Sequence, residues 1–161
     1  MAKLGEIIGT DKLRLCSMDF VRVAGHPARA RRGDSRMHDP TRLLCRLDEL
    51  PLGGCREFRL GEGDWPLRGF VVRVSDGVRA YVNRCPHLHY PLNYLPDEFL
   101  TYDRLLIQCT MHGALFEKES GLCVYGPCLG RSLPSLPVHV DADGVWLAED
   151  ADVGALRSLY V

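Results

Sequence analysis

From residue 41 onward, apolar and polar positions alternate over short stretches, and Gly, Pro and Asp punctuate them at close intervals. That two-residue period, carried by Val, Leu and Phe, is the mark of half-buried strands. It predicts strands at Leu43–Leu47, Arg56–Leu60, Phe70–Val74, Val78–Val82, Leu105–Cys109, Ala114–Glu117, Val138–Asp141 and Val145–Ala148. Between the third and fourth, Asp76-Gly77 is expected to supply the two positive-φ positions of a tight hairpin turn. Asp143-Gly144 does the same for the last two strands, with one or two extra residues. Only Asp150–Tyr160 has helical spacing, and it is short. With no internal repeat and no alternation of strands and helices, the expected fold is all-β, a small antiparallel sandwich or barrel. The segment Cys85–Gly130 interrupts this regular pattern with a high density of Cys, His, Pro and Gly. Loops carried on a rigid β frame are where chemistry usually sits.

Charge separates the first 40 residues from the rest. They carry a net +3, against −4 for residues 41–161. Ala24–Arg36 has many turn formers and no apolar period, so residues 1–40 read as a basic, poorly ordered arm. The arm is either a docking patch or simply solvated, and Met37 offers an alternative start of translation just before the first strand. Residues 41–150 are expected to form one domain, with 151–161 as a short C-terminal helix or tail. The whole chain of 161 residues has a net charge of −1, so no global field favours nucleic acid or an anionic membrane. No run approaches the roughly 18 apolar residues of a spanning helix, and the N-terminus lacks the apolar core of a signal peptide. A cytoplasmic location is therefore expected. Seven cysteines are then too many, and too odd a number, for a disulfide framework. Metal binding explains them better.

Two boxes carry that chemistry: Cys85-Pro86-His87 and Cys109-Thr110-Met111-His112. Each offers one thiolate and one imidazole, and the 21 residues between His87 and Cys109 are enough to bring both boxes to one end of the sheet. Four such ligands suit either a tetrahedral zinc ion or an iron–sulfur cluster.

Cys-x-His followed by Cys-x-x-His resembles the Rieske [2Fe–2S] signature, in which two Cys hold one iron and two His the other. Cys85–Leu92 looks like the family's first box and Cys109–Phe116 like its second, followed by Glu119-Ser120-Gly121. Gly126-Pro127 falls where the family has a proline loop over the cluster. The likeness runs from about residue 41 to 148. The boxes stand a few residues further apart than is common, an excess assigned to Leu95–Thr101. The resemblance implies a Rieske-like fold: an antiparallel β-sandwich or barrel base with an inserted cluster-binding subdomain, its loops spanning about 84–130. It further implies that Cys85 and Cys109 bind the inner iron of a Rieske-type [2Fe–2S] cluster, and His87 and His112 the outer one.

Two departures say which kind of Rieske protein this is. High-potential members place a Ser and a Tyr hydroxyl two and four residues after the second His, where this chain has Ala114 and Phe116. Donors aimed at cluster sulfurs favour the reduced state and raise the potential, so their loss lowers it. The disulfide that those members build between the loops would fall at Tyr90 and Met111, and is absent. The expected potential is near the low end of the Rieske range, about −150 mV rather than about +300 mV. The chain then resembles the ferredoxin-type branch, which takes electrons from a flavin-dependent reductase and passes them to a terminal oxygenase.

An oxygenase would need a second iron on two His and a carboxylate. The remaining His26, His38, His89 and His139 offer no such pair, two of them lying in the arm. A phosphate loop, a nucleophile elbow and a flavin or nicotinamide fingerprint are likewise missing. The protein reads as a relay rather than a catalyst. Two alternatives stay open: a small Rieske-like subunit of a larger reductase, of the nitrite reductase type, and a zinc-binding structural module.

Secondary residues receive plainer readings. Cys123 and Cys128 flank the proline loop and are expected as buried packing thiols rather than a disulfide. Cys16, Cys45 and Cys55 are expected in the core, and Trp65 and Trp146 against the sheet. His89 is expected exposed beside the ligands, and Arg131 either caps a loop or meets an acidic partner. Leu88, Leu92 and Pro127 are expected to form an exposed apolar rim around the two ligand histidines, serving as a small docking patch.

Overall fold

The computed structural model describes residues 39–158. The basic arm lies outside them, apart from Asp39 and Pro40, and so do Cys16, His26 and His38. Two 3-10 turns, at Pro40–Arg42 and Leu47–Glu49, accompany ten strands and one helix. The strands are β1 (Leu43–Arg46), β2 (Cys55–Leu60), β3 (Leu67–Val74), β4 (Gly77–Val82), β5 (Leu106–Gln108), β6 (Leu115–Glu117), β7 (Cys123–Tyr125), β8 (Ser135–Leu136), β9 (Val138–Val140) and β10 (Gly144–Leu147); the helix is α1 (Val153–Ser158). They form three antiparallel sheets in the orders β1-β10-β9, β2-β3-β4-β8 and β5-β6-β7. The all-β expectation is met.

The four-stranded sheet is buried on both faces, and the pleat of β3 shows how. Phe70, Val72 and Val74 enter a core shared with Ile107, Phe116 and Cys123 of the β5-β6-β7 sheet. Leu67 and Val71 enter a second core shared with Val145 and Leu147 of β10. Successive side chains of a strand alternate between faces, so one strand serves both cores. The first core is the floor on which the loops of the site stand.

Local chemistry differs from expectation in several places. At the β3–β4 hairpin Val74 pairs with Gly77, so the turn residues are Ser75 and Asp76. Gly77 opens β4 at φ +143°, and Asp76 has no positive φ. The Asp76 carboxylate instead accepts from the Arg79 guanidinium at 2.9 Å. Neither Asp143 nor Gly144 has a positive φ at the β9–β10 turn. Asp141 organises that loop: its Oδ1 accepts from the Asp143 and Gly144 amides and from the Trp146 indole at 2.9, 3.0 and 2.9 Å. The C-terminal helix starts later than predicted because the Asp152 carboxylate accepts from the Ala155 amide at 3.1 Å, capping the first turn. Trp146 packs in β10 as expected, whereas Trp65 stands in a loop, 78% exposed.

The excess length between the boxes is not a surface addition. Phe99 is fully buried and stacks on Phe70 with ring centroids 4.1 Å apart. Asp97, at φ +64°, pins the segment to β2, its carboxylate accepting from the Glu57 amide at 2.6 Å and the Arg56 guanidinium at 2.8 Å. No helix among the described residues is long and apolar enough to cross a membrane.

Candidate metal centre

The first box leaves the end of β4. Its loop closes on itself, the Cys85 amide donating to the Tyr90 carbonyl and the His89 amide to the Cys85 carbonyl, both at 2.9 Å. His89 takes a positive φ of 65° to complete this reversal, and its side chain is exposed. Asn83, buried just before the box, fastens the loop: its carbonyl oxygen accepts from the Leu92 amide and its amide donates to Asn93, both at 2.8 Å.

The second box follows β5 and turns at Gly113, φ +68°. The Cys109 amide donates to the Ala114 carbonyl at 2.8 Å and the Gly113 amide to the Cys109 carbonyl at 3.0 Å. One residue ties the boxes together. The amide and the hydroxyl of Thr110 both donate to the Leu92 carbonyl at 2.8 Å. Leu92, with both backbone groups engaged across the two loops, is fully buried. It is core, so its expected place in an exposed rim is corrected.

The four expected ligands come together as two pairs. Cys85 and Cys109 are buried in one core cluster, and each thiol acts on the titration of the other. The Cys85 thiol holds Cys109 below the ordinary thiol range, reinforced by the amides of Met111 and His112. The Cys109 thiol, followed by burial, pushes Cys85 up, while the His87 amide pulls the other way. The pair therefore favours the thiolate, the form that binds metal, at Cys109 first. The imidazoles of His87 and His112 meet edge to face with centroids 4.8 Å apart, His112 exposed and His87 partly buried. Nδ1 of His87 is buried and has no hydrogen-bond partner. A buried nitrogen lone pair or N–H left unmatched is costly, and a metal ion would satisfy this one. Among the described residues no three His, Cys, Asp or Glu side chains converge on one point, as a lone tetrahedral ion would require.

The loop after β7 covers the thiol pair. At Gly126, φ +106°, an added Cβ would lie 2.8 Å from the Cα of Ala114, so only glycine lets the loop lie this close. Pro127 is exposed, as expected, and so is Leu88 at 51%. Cys123 and Cys128 are buried thiols with sulfurs 3.3 Å apart, as read from the sequence. Burial, then the Cys123 thiol, pushes Cys128 up to about 11. Ala114 and Phe116 are buried with no polar atom to offer the centre. Cys45 and Cys55 are core thiols, and Arg131 is exposed.

Sequence reasoning missed Asn83, Thr110 and the exposed pair Tyr94 and Met111, whose hydroxyl and sulfur lie 2.7 Å apart beside the second box. Met111 was findable, since any residue between two ligands of a tight turn stands next to them. A lone Asn before a box carries no such signal.

A three-sheet β frame holding two thiol–imidazole loops under a covering loop is the build of a small redox metalloprotein. The family model of the Rieske [2Fe–2S] domain matches residues 41–139, and the chain belongs to that family. Its cofactor is a Rieske [2Fe–2S] cluster, and its role is electron transfer. The ferredoxin of carbazole 1,9a-dioxygenase from Nocardioides aromaticivorans IC177 superposes with a TM-score of 0.51 at 25% identity, over 66% of this chain and 94% of that one. A terminal oxygenase of carbazole 1,9a-dioxygenase from Novosphingobium sp. KA1 reaches 0.54 at 21% identity, but only 31% of its length is covered, against 69% of this chain. A third match, from a complex of reduced oxygenase and oxidized ferredoxin in carbazole 1,9a-dioxygenase, gives 0.50 at 22% identity over 68% and 94%. No curated protein matches the chain.

Proposed function

We propose that Cys85 and Cys109 ligate the inner iron and His87 and His112 the outer iron of the cluster, and that the chain is a ferredoxin-type carrier. On this reading it takes single electrons from a flavin-dependent reductase and gives them to a terminal oxygenase. One observation carries the ligand assignment: a buried thiol pair stands behind a histidine pair that reaches the surface, with one buried imidazole nitrogen unmatched. A cluster of this type takes up and returns one electron. The chain's own residues do the rest. The amides of His87, Met111 and His112 point at the two sulfurs, and the covering loop keeps water from the thiol side. His112 offers the exposed edge at which an electron can leave.

The carrier reading follows the likeness to a dioxygenase ferredoxin, 94% of which this chain covers. The oxygenase partner is supported by the solved ferredoxin–oxygenase complex among the similar structures. The reductase partner and a cytoplasmic location rest on the family resemblance alone. The potential is near the low end of the Rieske range, about −150 mV, because Ala114 and Phe116 give no hydroxyl to the sulfurs.

The test is EPR of the dithionite-reduced protein under potentiometric titration, with iron and labile sulfide assayed on the same sample. Equal iron and sulfide with a Rieske-type signal and a midpoint below zero is the expected result. A midpoint well above zero overturns the ferredoxin-type assignment, and a sample without iron and sulfide after reconstitution overturns the ligand set.

A further inference from the structure

Most basic side chains of the described residues meet a partner. Arg46, Arg56, Arg68 and Arg79 pair with Asp48, Asp97, Glu57 and Asp76, and Arg42, Arg73 and Arg157 donate to backbone carbonyls. Arg131, in the loop after β7, differs. Its backbone is fixed twice: the carbonyl accepts from the Cys123 amide at 2.8 Å and the amide donates to the Cys128 carbonyl at 2.9 Å. The residue is exposed, and its guanidinium has no hydrogen-bond or ion-pair partner among the described residues. It caps no loop, which leaves the acidic partner as its role.

Arg131 lines a cavity of about 450 Å3. The cavity abuts the first box, since Pro86 and His89, on either side of His87 in the chain, form part of its wall. Arg84 adds a second guanidinium and Ser132 a hydroxyl. Among the described residues no acidic side chain lines it, although residues 41–161 as a whole carry a net −4. Cations gathered in a concave site with low-dielectric walls focus a positive potential on whatever enters. Guanidinium groups suit carboxylates, which they can hold by two parallel hydrogen bonds. The net −4 around the cavity repels an extended polyanion, so a single acidic loop fits it better than nucleic acid or an anionic membrane.

We infer that this cavity is an anion-binding notch that receives a surface carboxylate of a redox partner, with Arg131 as the residue that holds it. The inference rests on the ligands proposed above, because the notch serves electron transfer only if His87 is one of them. A carboxylate seated there brings the partner beside the first box, and it sets an orientation that a small apolar patch leaves open. Charges at the rim of such a contact act on the encounter rate and its salt dependence, not on the cluster itself.

Stopped-flow oxidation of the reduced, desalted holoprotein tests this with ferricyanide, an anionic oxidant, and tris(phenanthroline)cobalt(III), a cationic one. In each reaction one electron leaves the cluster and reduces one oxidant ion. At low ionic strength Arg131→Gln is expected to slow the ferricyanide reaction about threefold, and the gap closes at about 1 M salt, where the screening length falls to about 3 Å. Its cobalt rate is expected to be unchanged or raised, with the EPR signal intact. Arg131→Lys, which keeps the charge, is expected to stay close to the wild-type ferricyanide rate. Arg59→Gln makes the same charge change on β2, outside the cavity, and is expected to have the smaller effect. Poly-L-glutamate separates a protein carboxylate from a free anion: it is expected to slow the wild type more than Arg131→Gln, whereas phosphate at matched ionic strength affects both alike. Equal slowing in Arg131→Gln and Arg59→Gln, or slowing by phosphate confined to the wild type, overturns the docking role while an intact Rieske signal keeps the ligand assignment standing. A wild-type protein with no such signal overturns both.

Discussion

Phe116 is where one atom changes the electrochemistry. It is fully buried in β6, between Ile107 and Cys123 of the neighbouring strands. Phe116→Tyr adds a hydroxyl two strand residues beyond Ala114, on the side of the thiol pair. One new hydrogen bond to the Cys109 sulfur, worth about 1 kcal/mol, raises the midpoint by about 40 mV. Redox titration checks it, and an unmoved midpoint with an intact EPR signal means that the hydroxyl does not reach the sulfur. At Gly126 the effect is steric instead. Gly126→Ala drives a methyl group to 2.8 Å from the Ala114 Cα at a φ of +106°. Overpacking and backbone strain together destabilise by about 2–4 kcal/mol, visible as a lower urea midpoint and faster loss of cluster absorbance. The four proposed ligands were picked out in the sequence because a Cys-x-His and a Cys-x-x-His box constrain residue type and spacing at once. Cys128 was legible only as a buried thiol. Its contact with Cys123, sulfur to sulfur at 3.3 Å, depends on how the loop after β7 folds back, and no spacing rule carries that information.

Among the elements, the segment between the boxes shows what length alone leaves out. Leu95–Thr101 was read only as the extra length. Phe99 makes it part of the core, stacked on Phe70 of β3 and hydrogen-bonded through its carbonyl to the Gln108 amide at 2.8 Å. Phe99→Ala is therefore expected to cost about 3–5 kcal/mol in urea unfolding, where a loop-surface substitution would stay within about 0.5 kcal/mol. The longer strands announced themselves through their period-two pattern, and seven of the eight predicted lie within one residue of the observed ends, β3 alone starting three residues earlier than read. Strands β7 and β8 gave no pattern to read. They have three residues and two, one beside a Gly-Pro loop and one just after Pro134. They exist because β6 and β4 present free edges, so tertiary pairing rather than local preference makes them. The two turns show the reverse case. Asp-Gly was read as a source of positive φ, and in each turn an aspartate acts through its carboxylate.

In the whole molecule, two cores share one sheet and divide the labour. The core against β10 holds the frame, and the core beneath β5, β6 and β7 carries the cysteine pair, so the site is as rigid as the fold. Function then requires an opening, and His112 together with the exposed Leu88, Met111 and Pro127 provides it. Electron carriers bind their partners weakly over small areas, so one apolar residue in the patch weighs heavily. Leu88 is the residue next to His87 and half exposed, placed to meet a partner surface without supporting the core. Leu88→Glu puts a negative charge into that contact and removes its apolar area. The loss expected is about 1.4 kcal/mol of encounter stability, or about a tenfold drop in the second-order rate of electron delivery to the redox partner. Because the side chain makes no part of the core, iron content, EPR signal and urea midpoint should match the wild type. Stopped-flow mixing of the reduced variant with its oxidised partner decides the matter, and an unchanged rate means that the partner docks elsewhere on the molecule.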